Sequence, residues 1–237
     1  QRKKYIIKEI NGEKIGFISY TYETPRRYGY KTINSNILSD NAALCINSFD
    51  YSNLDGFYCE IENEINLMKQ DGAKFIVTAM HWGEEYDTYE NSYQRDISNR
   101  LNQLGVDVII GGHPHVIQPF TSIVNENGHE TFVIYSQGNS LSNQSEEEIG
   151  IAESEDGYLV KFTLEVKDEK LSIKEYNIIP TWVYKEDKGD GTYYHRIIPV
   201  EDAINNPEKY KLPDYAYERL KRSLDRTRSI IGTDYNN

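Results

Sequence analysis

Two β-branched runs, each closed by glycine and histidine, constrain this 237-residue chain more than any other feature. Val106-Asp107-Val108-Ile109-Ile110 runs into Gly111-Gly112-His113-Pro114-His115, and Ala73-Lys74-Phe75-Ile76-Val77-Thr78-Ala79-Met80 runs into His81-Trp82-Gly83-Glu84-Glu85-Tyr86. An apolar run ending this way reads as a buried strand that opens into a loop, where reactive side chains are usually carried. Between the runs, Tyr93 to Gly105 places Ile97, Leu101 and Leu104 at helical spacing, with Gly105 as the cap. Strand, histidine loop, helix, strand, histidine loop is the pattern of a crossover between parallel strands. Both loops then open at the carboxyl ends of neighbouring strands, the usual place for a site in an α/β sheet.

In an extended segment residues two apart face the same side, and proline biases the residue before it toward that region. The spacing therefore predicts that His113 and His115 present both imidazoles to one point while Pro114 faces away. With His81 added, three imidazoles converge, and neutral imidazole is the commonest metal ligand. The predicted metal ligands are His81, His113 and His115. Glu84 and Glu85 follow His81 as candidate catalytic acids or bases, the alternative being solvated charges. Asn139, after Gly138, is either a turn residue or a third catalytic candidate facing the site. His129 and His195 are assigned to surface structure, and Trp82 and Trp182 to core or pocket wall.

The rest of the chain is read by its punctuation. Lys14 to Tyr20 is a strand, followed by a polar, tyrosine-rich irregular excursion from Thr21 to Leu38. Ile61 to Gln70 is an amphipathic helix ending at Gly72. Phe120 to Val124 and Thr131 to Ser136 form a hairpin across Asn125-Glu126-Asn127-Gly128. Gly157 to Lys167 and Leu171 to Ile179 form a second meander, with one face buried by Tyr158, Val160, Phe162, Leu164 and Val166. Pro213 to Ile231 is a helix whose Arg219, Lys221, Arg222, Arg226 and Arg228 read as a hydrated face beside Glu218 and Asp225.

The ordered string from His81-Trp82-Gly83-Glu84-Glu85-Tyr86 through Gln94, Gly105 to Pro119 and Ile134-Tyr135-Ser136-Gln137-Gly138-Asn139 resembles the CapA family of capsule and poly-γ-glutamate biosynthesis proteins. Ile179-Pro180-Thr181-Trp182-Val183 and Tyr194 to Pro199 are similar to its closing segment. Departures stand at Glu90, Gln137 and Ser140, where the family often has proline, leucine and phenylalanine. The resemblance implies a calcineurin-like metallophosphoesterase α/β sandwich, here its C-terminal half, with β-hairpins and a C-terminal helix. It divides the chain into a metal-motif region, 1–145, and a β-meander with helical tail, 146–237. The family's earlier Asp, Asn-Leu-Glu and Asn-Asn-His motifs do not stand in this sequence. Their carboxylates are therefore expected from a missing N-terminal half, a partner of this chain.

What the resemblance implies for function follows. Two divalent ions (Zn, Mn or Fe) would be held, His81 and His113 on one and His115 leaning toward the other. The protein would act at the extracellular face of a bacterial membrane, anchored upstream. Its partners would be capsule synthase membrane subunits and an anionic polymer or phosphoester substrate. Three readings stay open: a metal-dependent phosphoesterase-like hydrolase, a non-catalytic accessory of a capsule synthase, and a truncated product without a proper site.

Charge excludes one class. The formal net charge is −12, from 38 acidic and 26 basic residues, and no basic stretch of useful length appears, so nucleic acid is not an expected partner. The same field would repel a polyglutamate chain unless metal or arginine offsets it locally. Cys45 and Cys59 form no Cys-x-x-Cys pattern; they are either a disulfide or two buried small hydrophobes, and the free-thiol reading is preferred. No run of eighteen apolar residues occurs.

Overall fold

In the computed structural model, which describes residues 3–232, the strand at Phe75–His81 decides the layering. Ile76 and Met80 turn to one face and Phe75 and Val77 to the other, and all four are buried, so the strand is covered on both sides. The chain opens with a hairpin of β1 (Tyr5–Ile10) and β2 (Glu13–Tyr22), then a small meander of β3 (Thr24–Arg27), β4 (Tyr30–Ile33) and β5 (Asn36–Ile37). Next come α1 (Asp40–Cys45), β6 (Ser48–Phe49), α2 (Leu54–Gln70), β7 (Phe75–His81), α3 (Ser92–Gln103) and β8 (Val108–Gly112). A hairpin of β9 (Phe120–Val124) and β10 (Glu130–Ile134) follows, and α4 (Glu146–Ile149) leads into β11 (Asp156–Lys167), β12 (Lys170–Asp187) and β13 (Tyr193–Pro199). The chain closes with α5 (Val200–Asn205), α6 (Pro207–Tyr210) and α7 (Asp214–Ile231).

Among the described residues the main sheet runs β1-β2-β7-β8-β10-β9, with β6 beside β2. Strands β2, β7, β8 and β10 are mutually parallel, and the edge strands β1 and β9 are antiparallel to their neighbours. The predicted crossover is present, with α3 between β7 and β8. Helices α2 and α3 cover one face, setting Ile61, Ile65, Met68, Ile97 and Leu101 against Ile76, Met80 and Ile109. Both helices start on side-chain caps: Asn53 accepts from Gly56, and Asn91 and Gln94 form a reciprocal capping box. The opposite face is partly covered by β11 and β12, whose Phe162, Leu164, Leu171 and Ile173 meet Ile15, Phe75, Val77 and Val108. The result is the expected α/β sandwich, with the main sheet in the middle. Helix α7 packs Ala216 and Leu220 against Trp182, Tyr184 and Ile198 of the second sheet.

Toward the carboxyl ends of β2, β7 and β8, beyond the second sheet, the main sheet is left open. A groove of about 910 Å³ there is lined by Phe17, Ala79, Ile110, Ile46 and Cys45, and it reaches His81. No helix among the described residues is long and apolar enough to cross a membrane.

Four expectations are corrected. The excursion from Thr21 to Leu38 is the β3-β4-β5 meander, ordered by Thr32, which is wholly buried and donates to the carbonyls of Thr24 and Pro25. Cys45 and Cys59 form no disulfide, as expected, but both are exposed, which removes the reading of them as buried small hydrophobes. Val166 is half exposed, although Leu171 opposite it on β12 is buried against the main sheet. The arginine-rich face of α7 is not uniformly hydrated: Arg219 and Arg226 reach carboxylates that the fold buries.

These layers carry a stability contrast. Ile61 is fully buried between α2 and the sheet, whereas Ile6 on edge strand β1 is 56% exposed. Ile61→Ala is expected to cost about 2–5 kcal/mol in urea unfolding, and Ile6→Ala to stay within about 0.5 kcal/mol of the wild type.

Candidate metal centre

Register brings the two histidine loops together. In the parallel pair β7·β8, His81 lies opposite Gly112, and in β2·β7 Thr21 lies opposite His81. The three strands therefore end side by side, and the residues just after them share one crevice. Close approach is possible because position 111 has no side chain: a Cβ there would sit 1.9 Å from the Tyr135 carbonyl oxygen and 2.5 Å from the Trp82 indole nitrogen. Those two atoms instead form a buried hydrogen bond of 2.9 Å, which ties the loop after β7 to the end of β10.

The His-Pro-His segment is not extended, contrary to the spacing argument. His113 has φ 107° and His115 φ 61°, both in the left-handed region that non-glycine residues rarely occupy. Backbone bonds hold the turn: Trp82 N–H donates to the Gly112 carbonyl at 3.0 Å and Tyr86 N–H to the Pro114 carbonyl at 2.7 Å. Convergence of the two imidazoles thus comes from a twisted turn. Their ring centroids are 6.1 Å apart, and the His81 ring lies 4.6 Å from that of His113.

Ligand geometry groups the residues differently from the sequence. Glu85, His113 and His115 place one ligand atom each within 4.8 Å of one another, with Glu85 exposed and both histidines half-buried. His81 stands beside this group as the neighbour of His113. Glu84 is exposed, and its charge, like that of Glu85, reaches Tyr22. Asn139 faces the site: its Oδ1 is 3.1 Å from Nδ1 of His115. His129 is elsewhere, with its Nε2 2.9 Å from the Val106 carbonyl at the amino end of β8. His195 pairs across to Lys185 on β13 and β12, far along the chain from the site loops, and its Nε2 is buried without a partner, so it is less a surface residue than expected. Trp82 and Trp182 are core aromatics, 0% and 2% exposed.

Sequence reasoning missed Tyr22. Its hydroxyl is 3.0 Å from Nε2 of His113, and its ring stacks on His81 at 5.9 Å. The available signal was strand length: β2 continues two residues past the predicted end at Tyr20, which carries Tyr22 one step beyond the Thr21–His81 pair. It also missed the role of a buried glutamine pair. Gln94 Nε2 donates to Gln118 Oε1 at 2.8 Å, and Gln118 Nε2 donates to the carbonyls of Asp87 and Tyr89. Both glutamines are wholly buried, and they lock the loop after β7 to the loop after β8.

With that geometry in place, the comparison with known families is decisive. The family model of the bacterial capsule synthesis protein PGA_cap matches residues 1–144. The chain belongs to that family. It is 37% identical over 92 residues to the PGA biosynthesis protein CapA of Bacillus subtilis strain 168. It is 34% identical over 96 residues to the capsule biosynthesis protein CapA of Bacillus anthracis. These matches cover 39% and 40% of this chain, but only 22% and 21% of the relatives. Among solved structures, SoxB of Thermus thermophilus, a sulfate thiohydrolase, is similar with a TM-score of 0.39 and 14% identity, covering 95% of this chain and 28% of that one. The calcineurin-like phosphoesterase YfkN of Bacillus subtilis is similar with a TM-score of 0.34 and 14% identity, covering 92% and 58%.

The electrostatics suit metal ligation. Burial first, then the neighbouring His81 and His115, push His113 down to about 4, and burial followed by His115 lowers His81. Both rings are therefore neutral at pH 7, with lone pairs available. An unfolded histidine titrates near 6.5, so between about 6.5 and 4 the unfolded chain takes up a proton that folded His113 refuses, and stability falls on acidification. The metal-free melting temperature is expected to drop across that window, and to drop less in His113→Asn. An NMR titration placing His113 at or above 6.5 would contradict this.

Proposed function

We propose that this chain carries the histidine half of a metal-dependent, phosphoesterase-like centre that serves capsule synthesis at the bacterial cell envelope. The observation that supports it is the convergence of Glu85, His113 and His115, with His81 alongside. The donor set fits a divalent ion: one carboxylate supplies negative charge, and the burial that keeps His113 neutral favours ligation. Zinc, manganese and iron all accept such nitrogen and oxygen donors. A divalent ion held there would polarise a phosphoryl oxygen and lower the pKa of a bound water.

The residues divide the work. His113 and His115 hold the ion from one turn, and Glu85 closes the set from the neighbouring loop. His81 and Tyr22 wall the crevice beside His113 and limit water there. Glu84, exposed at the rim, is placed to exchange a proton with solvent. Asn139 acts on His115 and not on substrate, since its amide is engaged by protein groups.

A second ion would need further carboxylates, and the open groove beside His81 is where they would enter. The aligned segment is about a fifth of each curated relative, so other residues of such a protein have room to cover the apolar wall and complete the set. The substrate in this reading is a phosphoester or an anionic capsule polymer such as poly-γ-glutamate, handled with membrane subunits of a capsule synthase at the extracellular face. Local positive charge from the ion would offset the repulsion expected from a chain of net charge −12.

Metal analysis tests the centre. Asparagine tolerates left-handed backbone, so His113→Asn and His115→Asn remove a ligand with little added strain. Both are expected to lose bound zinc or manganese, while His129→Ala and His195→Ala retain it. Wild-type metal content in the His113→Asn, His115→Asn double variant would overturn the reading. In cells, normal capsule made by that double variant would remove metal from the function. Capsule lost without measurable phosphodiester hydrolysis by the wild type would move the weight to an accessory role.

A further inference from the structure

The C-terminal helix lies outside the family match at 1–144, yet a continuous set of hydrogen bonds joins it to His115. Arg226 of α7 grips Asp156 with two bonds, Nε to Oδ2 at 2.6 Å and Nη2 to Oδ1 at 2.8 Å. Asp156 is wholly buried. The same Nη2 donates to the Ala152 carbonyl at 3.3 Å, so one guanidinium clamps both ends of the turn from Ala152 to Asp156. Arg219, two turns earlier on the same face of α7, pairs with buried Glu155, which also accepts from the Trp182 indole at 2.8 Å. The turn is therefore fixed to α7 at three residues, Ala152, Glu155 and Asp156.

That clamped turn presents its carbonyls to Asn139. The Asn139 N–H donates to the Asp156 carbonyl at 3.1 Å, and Nδ2 donates to the carbonyls of Ser154 at 2.9 Å and His115 at 3.1 Å, and to Gln144 Oε1 at 3.0 Å. Close packing holds the backbone here, since a Cβ on Gly138 would fall 2.4 Å from the Asp156 carbonyl oxygen. Reversing the Asn139 amide would aim its carbonyl at two backbone carbonyls. The network thus settles the amide orientation, and Oδ1 must face His115. An amide oxygen can only accept, so Nδ1 of His115 carries the proton and the lone pair is left on Nε2.

We infer that Arg226 is a positioning residue for His115: through the turn at 152–156 and Asn139 it fixes the ring and its proton on Nδ1, leaving Nε2 free to ligate. Partners of this kind usually act on metal affinity by orienting the ligand and selecting its tautomer. The part of the chain beyond the family match is, on this account, a working support of the centre. The affinity readout rests on the metal-site reading above, whereas the tautomer is measured without metal.

The test uses the whole chain, labelled with nitrogen-15 and free of metal, with the His115 signal assigned by its loss in His115→Asn. Long-range proton–nitrogen NMR is expected to show a single Nδ1-protonated form in the wild type. Asn139→Ala should convert it to a mixture containing the Nε2-protonated form, and to weaken zinc binding by about 10–100-fold. Arg226→Gln should do the same to a smaller degree, and Arg226→Lys, which keeps the charge beside Asp156, should recover most of the wild-type behaviour. If Arg226→Gln does not fold, Asn139→Ala and Arg226→Lys decide. An Nε2-protonated His115 in the wild type overturns the inference. So does an Arg226→Gln protein that melts earlier but keeps the single tautomer and full zinc affinity, since the arginine would then brace the fold alone. Failure of the wild type to bind zinc, with the tautomer as expected, overturns the metal-site reading and leaves the positioning intact.

Discussion

The in-register parallel pairing of β7 with β8 is the constraint on which the rest depends. Five consecutive pairs, from Val77 opposite Val108 to His81 opposite Gly112, place both strand ends at one level. A slip by one residue would turn every side chain of a strand to the other face. Here it would exchange Ile76 and Met80, which meet the helices, with Phe75 and Val77, which meet the second sheet. Because both faces are buried, the register is specified twice. The histidine crevice inherits that precision, since His81, His113 and Tyr22 all stand within two residues of a strand end.

Polar bonds in the interior then govern how the loops leave the sheet. Trp82 to the Tyr135 carbonyl, Gln94 to Gln118, and Gln118 to the carbonyls of Asp87 and Tyr89 form a buried set behind the crevice. Each bond is modest on its own, but leaving any of these buried groups unpaired costs about 1–3 kcal/mol. The loops are therefore held by the penalty of breaking the set more than by its net attraction. This explains how an irregular stretch bearing Glu84 and Glu85 keeps a defined relation to the histidine turn.

Much of this was legible in the sequence where a period or a punctuation mark reports directly on geometry. The β7-α3-β8 unit, the β9-β10 hairpin and the face of α2 follow from apolar spacing, capping residues and an Asn-Gly turn, all of them local signals. The shape of the His-Pro-His turn was not legible, because left-handed backbone at His113 and His115 is imposed by bonds from Trp82 and Tyr86, residues some thirty positions away. The burial of Arg219 and Arg226 was equally hidden. Arginine on an amphipathic helix reads as hydrated unless one knows which element it packs on, and Glu155 and Asp156 meet α7 only across a sequence gap of 64 to 70 residues. Tyr22 was missed for a smaller reason, since a tyrosine-rich polar tract masked two further residues of strand.

The left-handed turn also sets stability against use. Non-glycine residues in such backbone regions cost about 1–3 kcal/mol each, while glycine there adopts positive φ freely and gives up only about 0.5–1 kcal/mol in chain entropy. Glycine at 113 or 115 would therefore leave a firmer fold with an emptier crevice. A library selected for heat resistance alone would drift toward glycine at both positions, so any effort to stabilise this chain must score retention of the two histidines alongside melting, or it will empty the crevice as it succeeds.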